Sequence, residues 1–410
     1  MNGYAIIILA TLVIGYLLEL ITERLNLKAL HPELPPEFRD VYDPERYARS
    51  QAYTREKTRF GLIHATFGLA VTLGFWFGGG FAWLDRLVRS WEWGGIATGL
   101  AFIGLLLLAR MILDLPFRIY SVFGIEERYG FNKTTPGTFV LDLLKGLLLA
   151  VVLGGALLAG IIAFFENAGP LAWLWCWVAT ALFALIMQFL APTYLMPLFN
   201  KFTPLEDGEL RAAIMRYARA VDFPLDNLFV MDGSKRSTKS NAFFTGFGRH
   251  KRIALFDTLI ENHTISELVA ILAHEIGHYK KRHILQGLVI SIVHTGVMFY
   301  LLSIFLSHEG LFEAFYVETP SVYAGLIFFG MLFAPIDMML SVAMQVFSRK
   351  NEYEADRFAA ETTGDGESMV SALKKLSADN LSNLTPHPLY VMLNYSHPPV
   401  LERIRAIRGG

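Results

Sequence analysis

Seven stretches of this chain, about Tyr4 to Leu20, Phe60 to Trp83, Ile96 to Leu115, Thr138 to Phe164, Leu171 to Leu195, Ile284 to Leu306 and Val322 to Phe347, are predominantly apolar. Each is long enough to cross a hydrocarbon core as a helix, which takes about 20 residues. No other feature constrains the fold as much. Inside lipid every backbone N–H and C=O must find its partner within its own segment, so runs of this kind have to be helices. Composition agrees, with 53% hydrophobic and 18% charged residues among 410, where soluble domains carry about a quarter charged. The predicted class is mainly α, a seven-span membrane protein whose first partner is the bilayer. A net charge of -1 gives no reason to expect nucleic acid as a partner. Tyr4 to Leu20 lacks a basic start and a small-residue cleavage site, and reads as a retained anchor.

Short cytoplasmic loops collect Lys and Arg. The first loop holds Arg24, Lys28, Arg39, Arg46, Arg49, Arg55, Lys57 and Arg59, while Glu166 to Pro170 and Ser307 to Pro320 contain neither Lys nor Arg. This pattern predicts an N-terminus outside and a C-terminus in the cytoplasm. Arg86 and Arg89, between the second and third runs, are discordant with it. Compact loops and a C-terminus without a dilysine signal point to a bacterial inner membrane.

The expected organisation is spans one to five and their loops in 1–197, a polar region in 198–283, spans six and seven in 284–347, and a second polar region in 348–410. Neither polar region would bury a sizeable core alone. They are expected to pack into one small α+β domain at the cytoplasmic membrane face, with strands at Leu228 to Met231, Asn241 to Phe247 and Arg252 to Phe256.

Within the first polar region lies His274-Glu275-Ile276-Gly277-His278, an H-E-x-x-H motif. Residues four apart share a helix face, so His274 and His278 can offer two imidazole nitrogens to one metal ion while Glu275 flanks it unbound. A catalytic zinc takes three protein ligands and leaves a position for water, which a nearby carboxylate can deprotonate. Thr264 with Glu267 three residues on reads as the capping box that starts this helix. The one cysteine, Cys176, sits in an apolar run, so thiolate ligation is excluded and the third ligand must be His, Asp or Glu.

Asn351 to Ala360 is helix-forming, with acids at Glu352, Glu354 and Asp356. Glu352 and Asp356 share a face, and Glu354 points elsewhere. Glu352 is read as the third ligand and Asp356 as the acceptor for the spare N–H of a ligand imidazole. A solvated acidic face has the same spacing. His397, on a turn before a proline-started helix, and Arg403 could stabilise an oxyanion, although a loop histidine would look the same. Asn241 and Ala242, on an expected strand, could pair with an extended substrate.

These stretches together, HEIGH, Glu352 to Asp356, NAFFTGFG from Asn241 and HPPVLER from His397, resemble the CAAX prenyl protease 1 family of integral-membrane zinc metallopeptidases, over the whole chain. The resemblance implies one zinc ion per chain on His274, His278 and Glu352, with Glu275 as general base and acid. It implies that Asn241, His397 and Arg403 hold substrate or oxyanion, and that the helices enclose a water-filled chamber. It further implies a peptide or protein substrate, prenylated and membrane-anchored, that loses its last three residues. His64, Arg110, Asp142, Lys145, His294 and Asp337 lie inside predicted spans and suit such a chamber, Asp142 and Lys145 better as residues snorkelling from helix ends. Two other readings compete: a quality-control protease similar to the HtpX heat-shock peptidases, which have fewer spans, and an inactive zinc-stabilised scaffold or channel, for which a free Glu275 has no use.

Overall fold

A computed structural model describes residues 1–225, 227–247 and 250–409. It contains seven helices long and apolar enough to span a bilayer: Gly3–Lys28, Pro44–Phe77, Gly95–Glu126, Pro136–Asn167, Gly169–Leu198, His283–Phe305 and Val322–Thr363. Their number and order are those expected, but three boundaries differ for physical reasons.

The second apolar run does not continue to Trp83. Gly79 adopts a left-handed conformation (φ 71°) and breaks the chain after Phe77, and a short helix, Gly80–Arg89, follows. On that helix one of the two discordant arginines is engaged: Arg89 donates to Asp85 at 2.8 Å and to Thr319 C=O at 2.9 Å. Its charge is compensated locally. The same end of the bundle holds a dense aromatic core, in which Phe315 stacks on Phe328 at 3.9 Å and the Trp76 indole donates to Ala314 C=O.

The last span is one unbroken helix of 42 residues, Val322–Thr363, about 63 Å long at 1.5 Å per residue. The expected boundary at 347 therefore falls inside a helix. Glu352 and Asp356 ride on the membrane-emergent end of that rod, fixed rigidly to the span.

The motif helix, Ile265–Lys280, does not run directly into the sixth span either. Arg282 sits at φ 61° and separates the two helices. At its start the capping box forms as read: Thr264 N–H donates to Glu267 Oε2 at 2.8 Å and Glu267 N–H to Thr264 Oγ1 at 3.4 Å.

A four-stranded sheet lies beside this helix, formed by β1 (Phe202–Pro204), β2 (Asn227–Met231), β3 (Ala242–Phe247) and β4 (His250–Phe256) in the order β1-β2-β4-β3. Three strands were expected; β1, only three residues long, was not. β2 and β4 run parallel, and the other neighbours antiparallel. Ile253, Leu255, Leu268, Leu272 and Ile276 pack into one buried cluster with Ala359 of the last span and Ala372. The two polar regions thus form a single unit, at the end of the bundle opposite the N-terminus. Arg236 clasps Asp142 through Nε and Nη2 at 2.7 and 2.9 Å, and Lys145 donates to Leu198 C=O. The Arg236 contact ties the unit to the fourth span, the Lys145 contact joins the fourth span to the end of the fifth, and both fit the reading of Asp142 and Lys145 as helix-end residues.

Candidate active site

Helix periodicity brings His274 and His278 to one face, with their Nε2 atoms 3.1 Å apart. The last span crosses that face, and it can approach because position 277 is glycine. A β-carbon there would lie 3.2 Å from the Cα and carbonyl oxygen of Ala355. The close crossing delivers Glu352, whose Oε1 is 3.2 Å from His278 Nε2 and whose Oε2 is 3.4 Å from His274 Nε2. One ligand atom from each of the three residues falls within 4.8 Å of the others.

The residues fit a metal. Glu352 Oε2 is buried without a hydrogen bond, with the Arg403 guanidinium 3.4 Å away, and a metal ion would supply the close partner that a buried carboxylate oxygen needs. Burial works against a charge on His274, yet the Asp356 and Glu352 carboxylates push its pKa up to about 9. Two imidazoles and one carboxylate also make a donor set of the transition-metal type, unlike the all-oxygen sets that suit magnesium and calcium.

Asp356 Oδ1 lies 2.9 Å from His274 Nδ1; a neutral ring with its proton on that nitrogen would present a bare Nε2 toward the centre. Glu275 lies on the motif helix between the two histidines, half-buried. Among the described residues no hydrogen bond holds its carboxylate. Burial lifts its pKa above the usual carboxylate range, with His274 and His278 pulling the other way, a direction that suits a group required to take and return a proton.

His397 reaches the open side of the centre. Its side chain is 64% exposed and its Nε2 lies 3.3 Å from Glu352 Oε1. Arg349, which no sequence pattern singled out, fixes the turn before it by donating to Val391 and Tyr395 carbonyls at 3.1 and 2.6 Å. A cleft of about 490 Å³ opens beside His397, lined among others by Leu376, Ser377, Asn380 and Tyr395.

Arg403 lines the same cleft as His397 and is engaged with two carboxylates. Its guanidinium is buried behind the ligands, with Nε and Nη2 on Asp356 at 2.7 and 2.6 Å and Nη1 3.4 Å from Glu352 Oε2. The two bonds from Arg403 and the contact with His274 Nδ1 meet on the same Asp356 carboxylate.

β3 is an edge strand. Phe256 N–H donates to Asn241 C=O, so alternate residues beginning at Ala242 turn their main-chain groups to the open edge. The Asn241 side chain covers the Ala242 N–H at 2.8 Å. Ala242 thus lies on the edge where an added strand would dock, while the Asn241 main chain faces β4.

Inside the spans, His64 and Arg110 converge on Asp114 at 2.8 and 2.7 Å, and His294 lies 3.0 Å from Asp337. Asp114 escaped notice in the sequence, although its spacing of four from Arg110 on a helix was a usable signal.

Comparison with known proteins agrees along the full length. The family model described as "CAAX prenyl protease N-terminal, five membrane helices" matches residues 23–201, and that described as "Peptidase family M48" matches 204–410. The chain is 36% identical to the CAAX prenyl protease 1 homolog of Arabidopsis thaliana, over 97% of this chain and 96% of the relative. It is 36% identical to CAAX prenyl protease 1 of Saccharomyces cerevisiae, over 94% and 91%. The crystal structure of S. mikatae Ste24p superposes with a TM-score of 0.92 at 34% identity, covering 99% of both chains. These relatives are eukaryotic, and lend no support to a bacterial source. A matching family model over each half, relatives aligned end to end and a shared seven-span architecture place this chain in peptidase family M48, as a multi-pass membrane metallopeptidase of the CAAX prenyl protease 1 type.

Proposed function

We propose that the chain binds one zinc ion through His274, His278 and Glu352 and cleaves peptide bonds near the C-terminus of prenylated, membrane-anchored proteins. The observation that carries the zinc reading is the convergence of three ligand atoms, one per residue, within 4.8 Å. Zinc bound there would supply a Lewis acid for the scissile carbonyl and acidify a water beside it. Glu275 takes the proton from the attacking water and returns it to the departing amine. His397, on the open side, donates to the oxygen that gains charge. Asp356 and Arg403 hold His274 in its orientation, and the free edge of β3 at Ala242 aligns the peptide. The substrate class rests on the names of the relatives, CAAX prenyl proteases, and on a site emerging from the membrane on a span. The loop charges support a cytoplasmic site with the N-terminus outside. The polar clusters around Asp114 and Asp337, costly in lipid, support a hydrated interior.

The test uses detergent-purified protein with a fluorogenic farnesylated CAAX peptide and its unprenylated twin, alongside Glu275→Gln, each assayed for bound zinc. Cleavage of the farnesylated peptide alone, with a variant that holds zinc but has lost about a hundredfold or more in turnover, is expected. Normal turnover by Glu275→Gln would sink the mechanism. Equal cleavage of both peptides would remove the prenyl requirement.

A further inference from the structure

His274 and His278 are held from behind in different ways, and only one of the two holders has been described. Asp356 takes His274 Nδ1. On the other ligand, His278 Nδ1 lies 3.0 Å from His283 Nδ1, and His283 Nε2 lies 3.3 Å from Glu354 Oε2. We propose that His283 and Glu354 form a relay that fixes the tautomer and ring orientation of His278, making both of them positioning residues of the metal site. This rests on the proposed ligation by His278.

The hydrogen positions follow from chemistry. A neutral His278 that offers Nε2 to a metal carries its proton on Nδ1. That proton needs an acceptor, and the atom facing it is His283 Nδ1. His283 must then carry its own proton on Nε2, the nitrogen that faces the Glu354 carboxylate. Each of the three groups is thereby assigned one role, with a donor meeting an acceptor at both contacts. His283 is buried, 7% exposed, so its ring nitrogens have little water to turn to.

The backbone is shaped for this contact. Residues five apart lie on different faces of a continuous helix. Here the left-handed Arg282, at φ 61°, folds the start of the sixth span back so that the His283 ring meets that of His278 edge-on, 5.1 Å between centroids. A non-glycine residue in that conformation is strained, and the contacts around it hold it there. Glu354, which helix phase turns away from Glu352, thus serves the same site from the adjacent face of the last span.

The experiment measures zinc affinity of the full-length protein in detergent by competition with a chelating dye, together with the visible absorption of the cobalt-loaded form. His283→Phe keeps the ring volume and removes the acceptor; His283→Asn retains an acceptor near the Nδ1 position; Glu354→Ala removes the far end of the relay. His283→Phe should bind zinc about 10- to 100-fold more weakly, the usual effect of losing a ligand's outer partner, and should shift the cobalt spectrum. His283→Asn should restore affinity to within a few-fold, and Glu354→Ala should shift the spectrum in the same direction by less. Wild-type affinity in His283→Phe would overturn the relay, as would equal weakening by Phe and Asn. If His283→Phe does not fold, an unaltered cobalt spectrum in Glu354→Ala overturns it. Failure of the wild-type protein itself to hold zinc would instead overturn the metal site.

Discussion

Gly277 and Ala355 meet backbone to backbone, and that contact sets how far Glu352 reaches toward the two histidines. A β-carbon at 277 would stand 3.2 Å from Ala355 Cα and O and from the Phe358 ring, a crowding that two packed helices relieve only by moving apart.

Gly277→Ala should therefore separate the motif helix from the last span by a few tenths of an ångström. Overpacking of this kind costs about 1–3 kcal/mol, and the gain in helix propensity returns about 1 kcal/mol. The expected net is a loss of about 1 kcal/mol in thermal or denaturant unfolding, with weaker zinc binding. Gly277→Val should lose the metal outright. A stabilised Gly277→Ala that keeps wild-type metal affinity would show that the crossing distance does not govern the site.

Arg403 and Asp356 form a buried pair with two short hydrogen bonds, at 2.7 and 2.6 Å. Removing one member leaves the other charge uncompensated, at a cost of about 3–5 kcal/mol. Arg403→Met and Asp356→Asn should each destabilise and weaken metal binding, and the double variant should lose less than the sum. Additive losses in a double-mutant cycle would mean that the two residues act independently.

Much of this architecture was legible before any coordinates, because its signals are local. Apolar length gave the seven spans, the four-residue spacing of His274 and His278 gave the ligand face, and Thr264 with Glu267 gave the helix start. Glu352 was legible for a different reason: without cysteine, few soluble-side carboxylates had the right phase. What stayed hidden depends on contacts between distant segments. β1 is three residues long and owes its form to pairing with β2. The break after Phe77 turns on one glycine conformation inside an apolar run. The pairing of Arg403 with Asp356 was hidden, since nothing in its neighbourhood in sequence announces a partner 47 residues away. His283 was unreadable from periodicity, as five residues is the wrong spacing until Arg282 bends the chain.

Glu267 links the start of the motif helix to Gly366–Asp379, accepting from Ser371 Oγ at 2.6 Å, Lys375 Nζ at 2.8 Å and Thr264 N–H at 2.8 Å. Burial pushes its carboxyl up, but the Lys375, Ser371 and Thr264 bonds outweigh burial and hold it below its ordinary value. A depressed carboxyl contributes stability that is present above the unfolded-state pKa, about 4.3, and is lost as pH falls through the folded value. The melting-temperature gap between the wild type and Glu267→Gln should thus be constant near neutrality and close as pH drops below about 4.5. A gap that persists unchanged at pH 3 would show that the charge on Glu267 is not what stabilises the cap.

Metal removal should be felt as a loss of stability at one seam. Two of the three proposed ligands lie on Ile265–Lys280 and the third on Val322–Thr363, so a bound ion staples two helices that also meet through Gly277 and Ala355. An ion that binds only the folded state stabilises it by mass action, about 4 kcal/mol when free metal is a thousand times its Kd. Chelation should lower the melting temperature, and re-addition of zinc should restore it in a concentration-dependent way. Amide hydrogen exchange should quicken first in 265–280 and around Glu352, while the aromatic core around Phe315 and Phe328 at the opposite end stays protected. Glu352→Gln should melt near the stripped wild type, and zinc should raise its melting temperature little. If chelation speeds exchange equally at both ends of the bundle, the ion stabilises the whole fold and the seam is not its point of action.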